Sequence, residues 1–531
     1  MSVAWTSPAV KKNPTAGKAS ASLVAAGVLL TKLVGLVSFR MFGHYFGLSD
    51  AADAFRAAFR IPGFLQSLFG EGVLSASFIP VYARLRAQEN DEEATRLAMS
   101  VFALLFFCTS VLVVLGIAAT PWLVDGIAPG FHGAKRELTI RLVRICFPGA
   151  GLLVFSAWCL GVLNSHGKFF LSYAAPALWH LTMIVAFLWF GSHASGGRLV
   201  EIIMWASVAG AGLQLAVQMP FVFRCLHPQG SRLLALGPHV RTVLRNFGPI
   251  LVARGVTQIS MYTTALMASL LTTGAVAALT NAFTLYLLPL SLFGTSVYAT
   301  ELPAMSGVLG SSGRVAEIVG ARLAAGVRKI AFYVVPSAAA FLILGKVVVA
   351  TIYQTGAFDA RDVIYVWAVL AGCSVGLVAE AIARVYFSAL YALQDTRTPM
   401  KIANLRVAIT ILLGYLLALP LPRLIGIDRK WGAPGLTLAV GLTAWLELVL
   451  LRRAIQKKIG AVPSFTARIF MLWMAAAAAA IASLGLFRIL PKLHPTLMGL
   501  IVLVFYCLLY LLLTQLMKIS SVGADRIPEP N

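Results

Sequence analysis

The sequence predicts an all-α polytopic membrane protein with about fourteen transmembrane helices, arranged as two six-helix pseudo-symmetric lobes followed by two C-terminal helices. Three observations predict it. Hydrophobic residues fill 59% of the 531 positions and charged residues 12%, more apolar surface than a water-soluble chain can hide. Apolar runs of roughly 20 residues, the length that crosses a ~30 Å hydrocarbon core as a helix, recur from residue 20 to residue 517. Short sequence echoes also recur at an offset of six spans.

Taken in order, the chain opens with a polar tail, residues 1–20, rich in Ala, Ser and Lys. The apolar run behind it exceeds a signal-peptide core, so the first span is expected to remain in the mature protein. Spans one to six lie near 21–46, 55–84, 97–120, 138–163, 171–192 and 199–223 and make the first lobe, 21–223. A basic linker, 224–242, precedes spans seven to twelve, near 243–271, 276–302, 327–352, 363–392, 402–420 and 433–452, which make the second lobe, 243–452. Spans thirteen and fourteen, near 467–488 and 496–517, follow in the segment 453–517, and a tail of 518–531 closes the chain. Helices are expected because a membrane segment must satisfy its own backbone polar groups. The alternating pattern of a membrane barrel is missing.

Two echoes support the lobes. Leu68-Phe69-Gly70-x-x-Val73 with Pro80 resembles Leu292-Phe293-Gly294-x-x-Val297 with Pro303. The loop Leu163-Asn164-Ser165-His166-Gly167 resembles Leu393-Gln394-Asp395-Thr396-Arg397. Both offsets cover six helices, an even number, so the halves are related by an axis along the membrane normal. Repeats of this kind place a site at their interface and work by alternating access.

The formal charge of +23 would suggest nucleic acid in a soluble chain. Here the basic residues sit in short connecting loops, such as Arg84, Arg86 and Arg96, or Arg452, Arg453, Lys457 and Lys458. That is the positive-inside pattern, so no nucleic-acid partner is expected, both termini are predicted cytoplasmic, and anionic membrane lipids account for much of the charge. The loop near 121–137 breaks the pattern with Lys135 and Arg136. Six scattered cysteines form no C-x-x-C pair and read as reduced, packed thiols. Without a phosphate-binding glycine loop or metal-spaced histidines, no enzyme, catalytic residue, cofactor or metal is expected.

Ionisable residues inside spans carry the functional reading, since burial in lipid costs at least ~2.5–3.5 kcal/mol each. Asp53, Arg56 and Arg60 share a helical face, and Lys32 and Arg40 lie on one half of the first span. Arg254 lies inside the seventh span. Lys32, Arg40, Asp53, Arg60 and Arg254 are therefore candidates to line a cavity that binds an anionic headgroup, because Arg matches phosphate oxygens with its planar fork. Snorkelling to the headgroups is the competing account for Arg40, Asp53 and Arg56. Glu380 and Arg384, at i, i+4 in the tenth span, read as a gating or a self-neutralising structural pair. Pro62 and Gly72, beside Glu71, punctuate the second span and are candidate bending points.

The motifs Gly35-Leu36, Phe46-Gly47, Asp53-Ala54-Phe55, Phe59-Arg60-Ile61-Pro62, Phe69-Gly70-Glu71-Gly72 and Phe78-Ile79-Pro80-Val81 resemble the signature of the MurJ/MviN family of lipid II flippases. Gly248-Pro249 with Gln258-Ile259-Ser260, Leu163-Asn164, and Gln394-Asp395 with Thr398-Pro399 and Lys401-Ile402-Ala403 agree with it in order along the chain. The resemblance implies the fold of the multidrug/oligosaccharidyl-lipid/polysaccharide exporters and residence in the bacterial inner membrane. It also implies translocation of an undecaprenyl-pyrophosphate-linked peptidoglycan precursor from the cytoplasmic to the outer leaflet. A groove at spans 13 and 14 for the lipid tail, a coupling ion or the membrane potential as drive, and cell-wall synthesis machinery as partner come with it. The chain departs from the family at Ser38, Gln66 and Thr284, where arginines are common, and has Lys32 in place of a fourth. Arg40 and Arg254 are expected to relocate the positive centre. The alternatives are a flippase for another polyprenyl-linked oligosaccharide, O-antigen-like, and a non-transporting scaffold of envelope assembly.

Overall fold

A computed structural model describes residues 14–69, 74, 77–226, 237–294, 312–393, 395, 397–460, 466–491 and 494–519. Among them every regular element is a helix. The first half contains α1 (Pro14–Phe46), α2 (Asp50–Phe69), α3 (Ile79–Ala87), α4 (Asp91–Ala118), α5 (Thr120–Ile127), α6 (Gly133–Ser165), α7 (Phe169–Ala174), α8 (Pro176–Phe190) and α9 (Gly196–Cys225). The second half begins with α10 (Pro238–Ser269) and α11 (Ala275–Pro289), the latter prolonged by a π turn (Leu290–Gly294). It continues with α12 (Ser312–Ile343), α13 (Gly345–Tyr353), α14 (Ala360–Ser374), α15 (Leu377–Ala392), α16 (Arg397–Ala418), α17 (Pro420–Leu424) and α18 (Gly432–Ile459). The two appended helices are α19 (Thr466–Ile489) and α20 (Pro495–Leu516).

Among the described residues, twelve segments are long and apolar enough to cross a membrane. The two remaining expected spans are α2 with α3, and α10. Four charged residues lie within the twenty of α2, and α10 combines Arg241, Arg245 and Arg254 with a run of hydroxyl groups. Both are too polar to be recognised by apolarity alone.

The chain divides into two compact units. Unit 1 comprises Met1–Met41, Ala58–Val124 and Arg136–Ile259; unit 2 comprises Phe42–Ala57, Asp125–Lys135 and Ser260–Asn531. These divisions fall elsewhere than the linker 224–242, and two stretches from the first half group with the second.

Unit 1 is built around α6, most of whose second half is buried. Trp158, Leu163, Phe78, Tyr82 and Leu97 form its core, and the Trp158 indole N–H donates to the Ala98 carbonyl at 3.2 Å. One buried polar chain links α6 to α9: Gln214 Nε2 donates to Ser156 Oγ (2.7 Å), which donates to Gln218 Oε1 (2.6 Å). At Gly35 a Cβ would approach the His180 ring to 3.0 Å, so a glycine there lets α1 lie close on α8.

In unit 2, Pro336 interrupts the hydrogen-bond ladder of α12. Proline has no N–H for the carbonyl four residues back, that of Phe332. The Tyr510 hydroxyl of α20 donates to that carbonyl at 2.7 Å, and Tyr506 donates to the Pro336 carbonyl at 2.7 Å. The break in one helix is thus what ties the last helix onto it, and α20 runs antiparallel to α12.

Candidate functional site

A dense polar constellation in unit 2 forms where α1 hands over to α2. Gly47 turns the chain with φ +51°, and a Cβ there would meet the Ala357 carbonyl at 2.6 Å, so the turn requires glycine. His44 is held from the same side: its carbonyl accepts from Ala357 N–H (2.8 Å) and its Nδ1 lies 2.9 Å from Thr355 Oγ1. The turn delivers Asp53, in the first turn of α2, to the N-terminus of α11 with 1% of its surface exposed.

The first N–H groups of a helix lack intrahelical partners and carry partial positive charge. Gly274, the residue before α11, has φ +87° and no side chain to cap them. Asp53 does so from another helix, its Oδ2 accepting from Gly274 N–H (2.7 Å) and its Oδ1 from Ala277 N–H (2.8 Å). Lys135 completes the cluster, its Nζ 2.7 Å from Asp53 Oδ2, 2.8 Å from Asp50 Oδ1 and 4.3 Å from the centre of the Phe131 ring. Thr273 Oγ1 donates to Asp50 Oδ1 at 2.9 Å. One turn further, Arg56 Nη2 donates to Asn281 Oδ1 (3.1 Å), and its guanidinium lies 4.6 Å from the centre of the Phe42 ring. These contacts explain why Phe42–Ala57 and Asp125–Lys135 group with unit 2. They also explain the basic residue at 135 that breaks the loop-charge pattern: it neutralises two aspartates.

A second constellation lies deeper in unit 2. Arg406 of α16 bonds Glu380 of α15 through Nη2 (2.8 Å) and Glu447 of α18 through Nη1 (2.5 Å). The Tyr286 hydroxyl of α11 donates to Glu380 Oε2 at 3.1 Å. One turn along, Thr410 and Thr443 share a hydrogen bond of 2.7 Å. Three helices meet at one guanidinium, and α11 joins them through Glu380.

The candidate residues separate accordingly. Lys32, Arg40 and Arg60 lie in unit 1, Lys32 exposed and the two arginines half-buried. Asp53 lies in the α11 cap. Pro62 is buried inside a helix that continues past it to Phe69. Glu380 takes its hydrogen bonds from Arg406 and Tyr286, while Arg384, one turn on, is half-buried. Glu71, Gly72 and the Arg254 side chain lie outside the described residues. Lys135, Asn281, Arg406 and Glu447 were not among the sequence candidates. Arg406 and Glu447 carry the signal applied to the others, a charge within an apolar run. Lys135 carried a different one, a cation on the wrong side.

The family model described as "Lipid II flippase MurJ" matches residues 42–520. The chain belongs to the lipid II flippase MurJ family. Relatives include a lipid II flippase MurJ of Burkholderia cenocepacia, 31% identical over 445 residues, covering 82% of this chain and 83% of the relative. A probable lipid II flippase MurJ of Rhizobium tropici is 30% identical over 433 residues, covering 81% and 79%. Among solved structures, a lipid II flippase MurJ in an inward closed conformation matches with a TM-score of 0.74 at 20% identity, covering 94% of this chain and 99% of that one. An inward-facing multidrug resistance MATE family transporter of the MOP superfamily matches at 0.63 and 16% identity, covering 82% and 96%. The fold is therefore the expected all-α membrane fold of roughly fourteen helices, and the family is one of transporters, not enzymes.

Proposed function

We propose that this chain translocates lipid II, the undecaprenyl-pyrophosphate-linked peptidoglycan precursor, from the cytoplasmic to the outer leaflet of the bacterial inner membrane by alternating access. Family membership across residues 42–520 is the observation that carries the reading. Positive loop charge supports cytoplasmic termini. In this reading Lys32, Arg40, Arg60 and Arg254 meet the pyrophosphate and sugar headgroup, since cations on spans are tolerated where they line a wet cavity. Asp53 serves differently. Its oxygens are filled by α11 amides and Lys135, so it seals rather than binds, and the seal is the contact that alternation breaks and remakes. No covalent step is needed, only two states whose populations the substrate and the membrane potential bias. The drive by an ion or the potential belongs to the proposal, as does contact with cell-wall synthesis machinery.

Ser38, buried at 3% exposure, and Thr284, whose hydroxyl donates to the Thr280 carbonyl at 2.8 Å, stand where family members often carry arginine. That departure keeps one alternative in view, another polyprenyl-linked oligosaccharide. Complementation decides. Expression in a strain depleted of its lipid II flippase should restore growth and outer-leaflet lipid II, and Arg60→Gln should abolish both with normal membrane levels. Failure of the wild type to rescue, with a different lipid-linked glycan accumulating, sinks the lipid II reading in favour of the alternative.

A further inference from the structure

Within unit 1, His180 lies near the middle of span five, Phe169–Phe190. An ionisable group at that depth points to a function, since its charge is costly in lipid. His180 shares a face of α8 with Ala177, Met183 and Phe187, which are 8%, 4% and 0% exposed, so that face is turned into the unit. His180 itself is only half-buried. The interior of unit 1 is therefore open beside the imidazole, where a histidine kept for packing alone would be as covered as its neighbours.

The surroundings of that opening are apolar or positive. A Cβ on Gly35 of α1 would come within 3.0 Å of His180 Nε2. The Phe39 and Trp179 rings meet the imidazole edge to face at 5.5 and 4.8 Å between centres, and Phe59 of α2 continues the layer 5.6 Å from Trp179. Lys32, one turn before Gly35, shares its face of α1, and Arg40 and Arg60 directly follow Phe39 and Phe59. Of the other elements packed here, α7 adds the Tyr173 hydroxyl. The α9 helix, whose Gly210 lies against the Trp179 backbone, has no titratable group between Glu201 and Arg224. Among the described residues of unit 1, carboxylates occur only near helix starts: from Glu89 to Glu93 at α4, Glu137 at α6 and Glu201 at α9. An imidazolium in the opening would thus join Lys32, Arg40 and Arg60 with no carboxylate to balance it. A phosphate-bearing anion supplies that balance, so the anion and a proton bind together.

We propose that His180 binds the pyrophosphate of the transported headgroup and takes up one proton from water as the anion arrives. Lys and Arg side chains keep their charge through the neutral range, whereas histidine gains or loses it there. His180 makes one cation of the site conditional on the ligand. The proposal rests on the reading that Lys32, Arg40 and Arg60 meet the headgroup, and it adds a titratable member to them. Because a proton is bound with the anion, affinity is highest at acid pH and falls as the pH rises.

Binding of lipid II to the purified full-length protein in detergent tests it, because the lipid II pyrophosphate is a diester whose charge is constant from about pH 5.5 to 8.5. Wild-type affinity should fall about tenfold across that range. H180Q retains a hydrogen-bond donor but cannot be charged, so it should bind throughout as weakly as the wild type does at the alkaline end. H180R, charged throughout, should give a flat profile at the tight end. H193Q removes an exposed histidine beyond the end of α8 and should keep the wild-type profile. Calorimetry in buffers of different ionisation enthalpy should register proton uptake on binding to the wild type and none with H180Q, and its wild-type half depends on no variant folding. Lipid II binding to the wild type without proton uptake overturns the proposal and leaves the headgroup reading standing, as does a folded H180Q whose profile is as steep as the wild type's. A wild type that binds lipid II at no pH overturns that reading, and this proposal with it.

Discussion

Unit 2 holds two clusters of the same stoichiometry, two carboxylates on one cation, that are completed in opposite ways. In Asp53–Lys135–Asp50 the surplus negative charge faces the N–H groups of α11, and the members come from stretches joined by turns. In Glu380–Arg406–Glu447 the members come from three packed helices, Glu380 from the first turn of α15 and the other two from helix interiors, with a tyrosine hydroxyl from a fourth. The first draws on a helix dipole that stays in place when the carboxylate leaves. In the second the arginine is the group that hydrogen-bonds both carboxylates. A contact that must open and reclose belongs to the first kind, and a joint that holds a unit rigid belongs to the second.

The comparison is broken most severely at Arg406. Arg406→Met leaves the buried carboxylate of Glu447 facing the half-buried one of Glu380 and should cost about 3 kcal/mol, read as lost expression and a lower Tm in detergent. Replacing all three charges, E380Q/R406M/E447Q, should recover most of that stability, because neutral partners of similar volume carry no uncompensated charge. A triple variant as unstable as the single one would remove the charge-closure account.

Next comes Asp53. Asp53→Ala strips the α11 cap and one partner of Lys135, a loss of about 2 kcal/mol. Transport should fall by tenfold or more while the fold persists, the reverse of the balance at Arg406. The charge swap D53K/K135D should fail to rescue, since a lysine cannot accept from Gly274 and Ala277 and would face the positive end of α11. Rescue by the swap would reduce the seal to a simple ion pair. Arg56→Lys is milder. It keeps the charge but loses the planar fork that serves Asn281 and Phe42, costing about 1 kcal/mol with a modest fall in transport.

How far these regions were legible in the sequence follows from what carries them. The spans were legible because membrane burial writes itself into composition residue by residue. The i, i+4 spacing of Glu380 and Arg384 suggested a local pair, yet Glu380 bonds Arg406 from the next helix, 26 residues away. Helical spacing reports neighbours on one helix and is blind to the facing one. Asp53 was legible as an unusual charge but not as a cap, because its partners are backbone N–H groups 221 and 224 residues distant that any sequence supplies. Lys135 was visible as an exception to loop charge. Only the fold says what the exception neutralises.

Asp395 isolates how much of the Asp53 effect comes from burial, because it performs the same capping outside the spans. Its Oδ1 accepts from Thr398 N–H at 3.0 Å at the start of α16, and Lys458 Nζ lies 3.1 Å from Oδ2. The Thr398 backbone donor, aided by its hydroxyl and by Lys458, holds the carboxyl down at about 2. A depressed folded value means the stabilisation is fully present above the unfolded value of ~3.9 and disappears as the pH falls through about 2. Asp395→Ala should therefore lower stability by about 1 kcal/mol or less, since the cap is half-buried and lies outside the spans. The deficit should be constant from pH 5 to 8 and shrink toward pH 2. Thermal melts of wild type and variant across that range check it. A loss at neutral pH as large as that of Asp53→Ala would mean that burial adds nothing to the seal, and that backbone capping alone sets its strength.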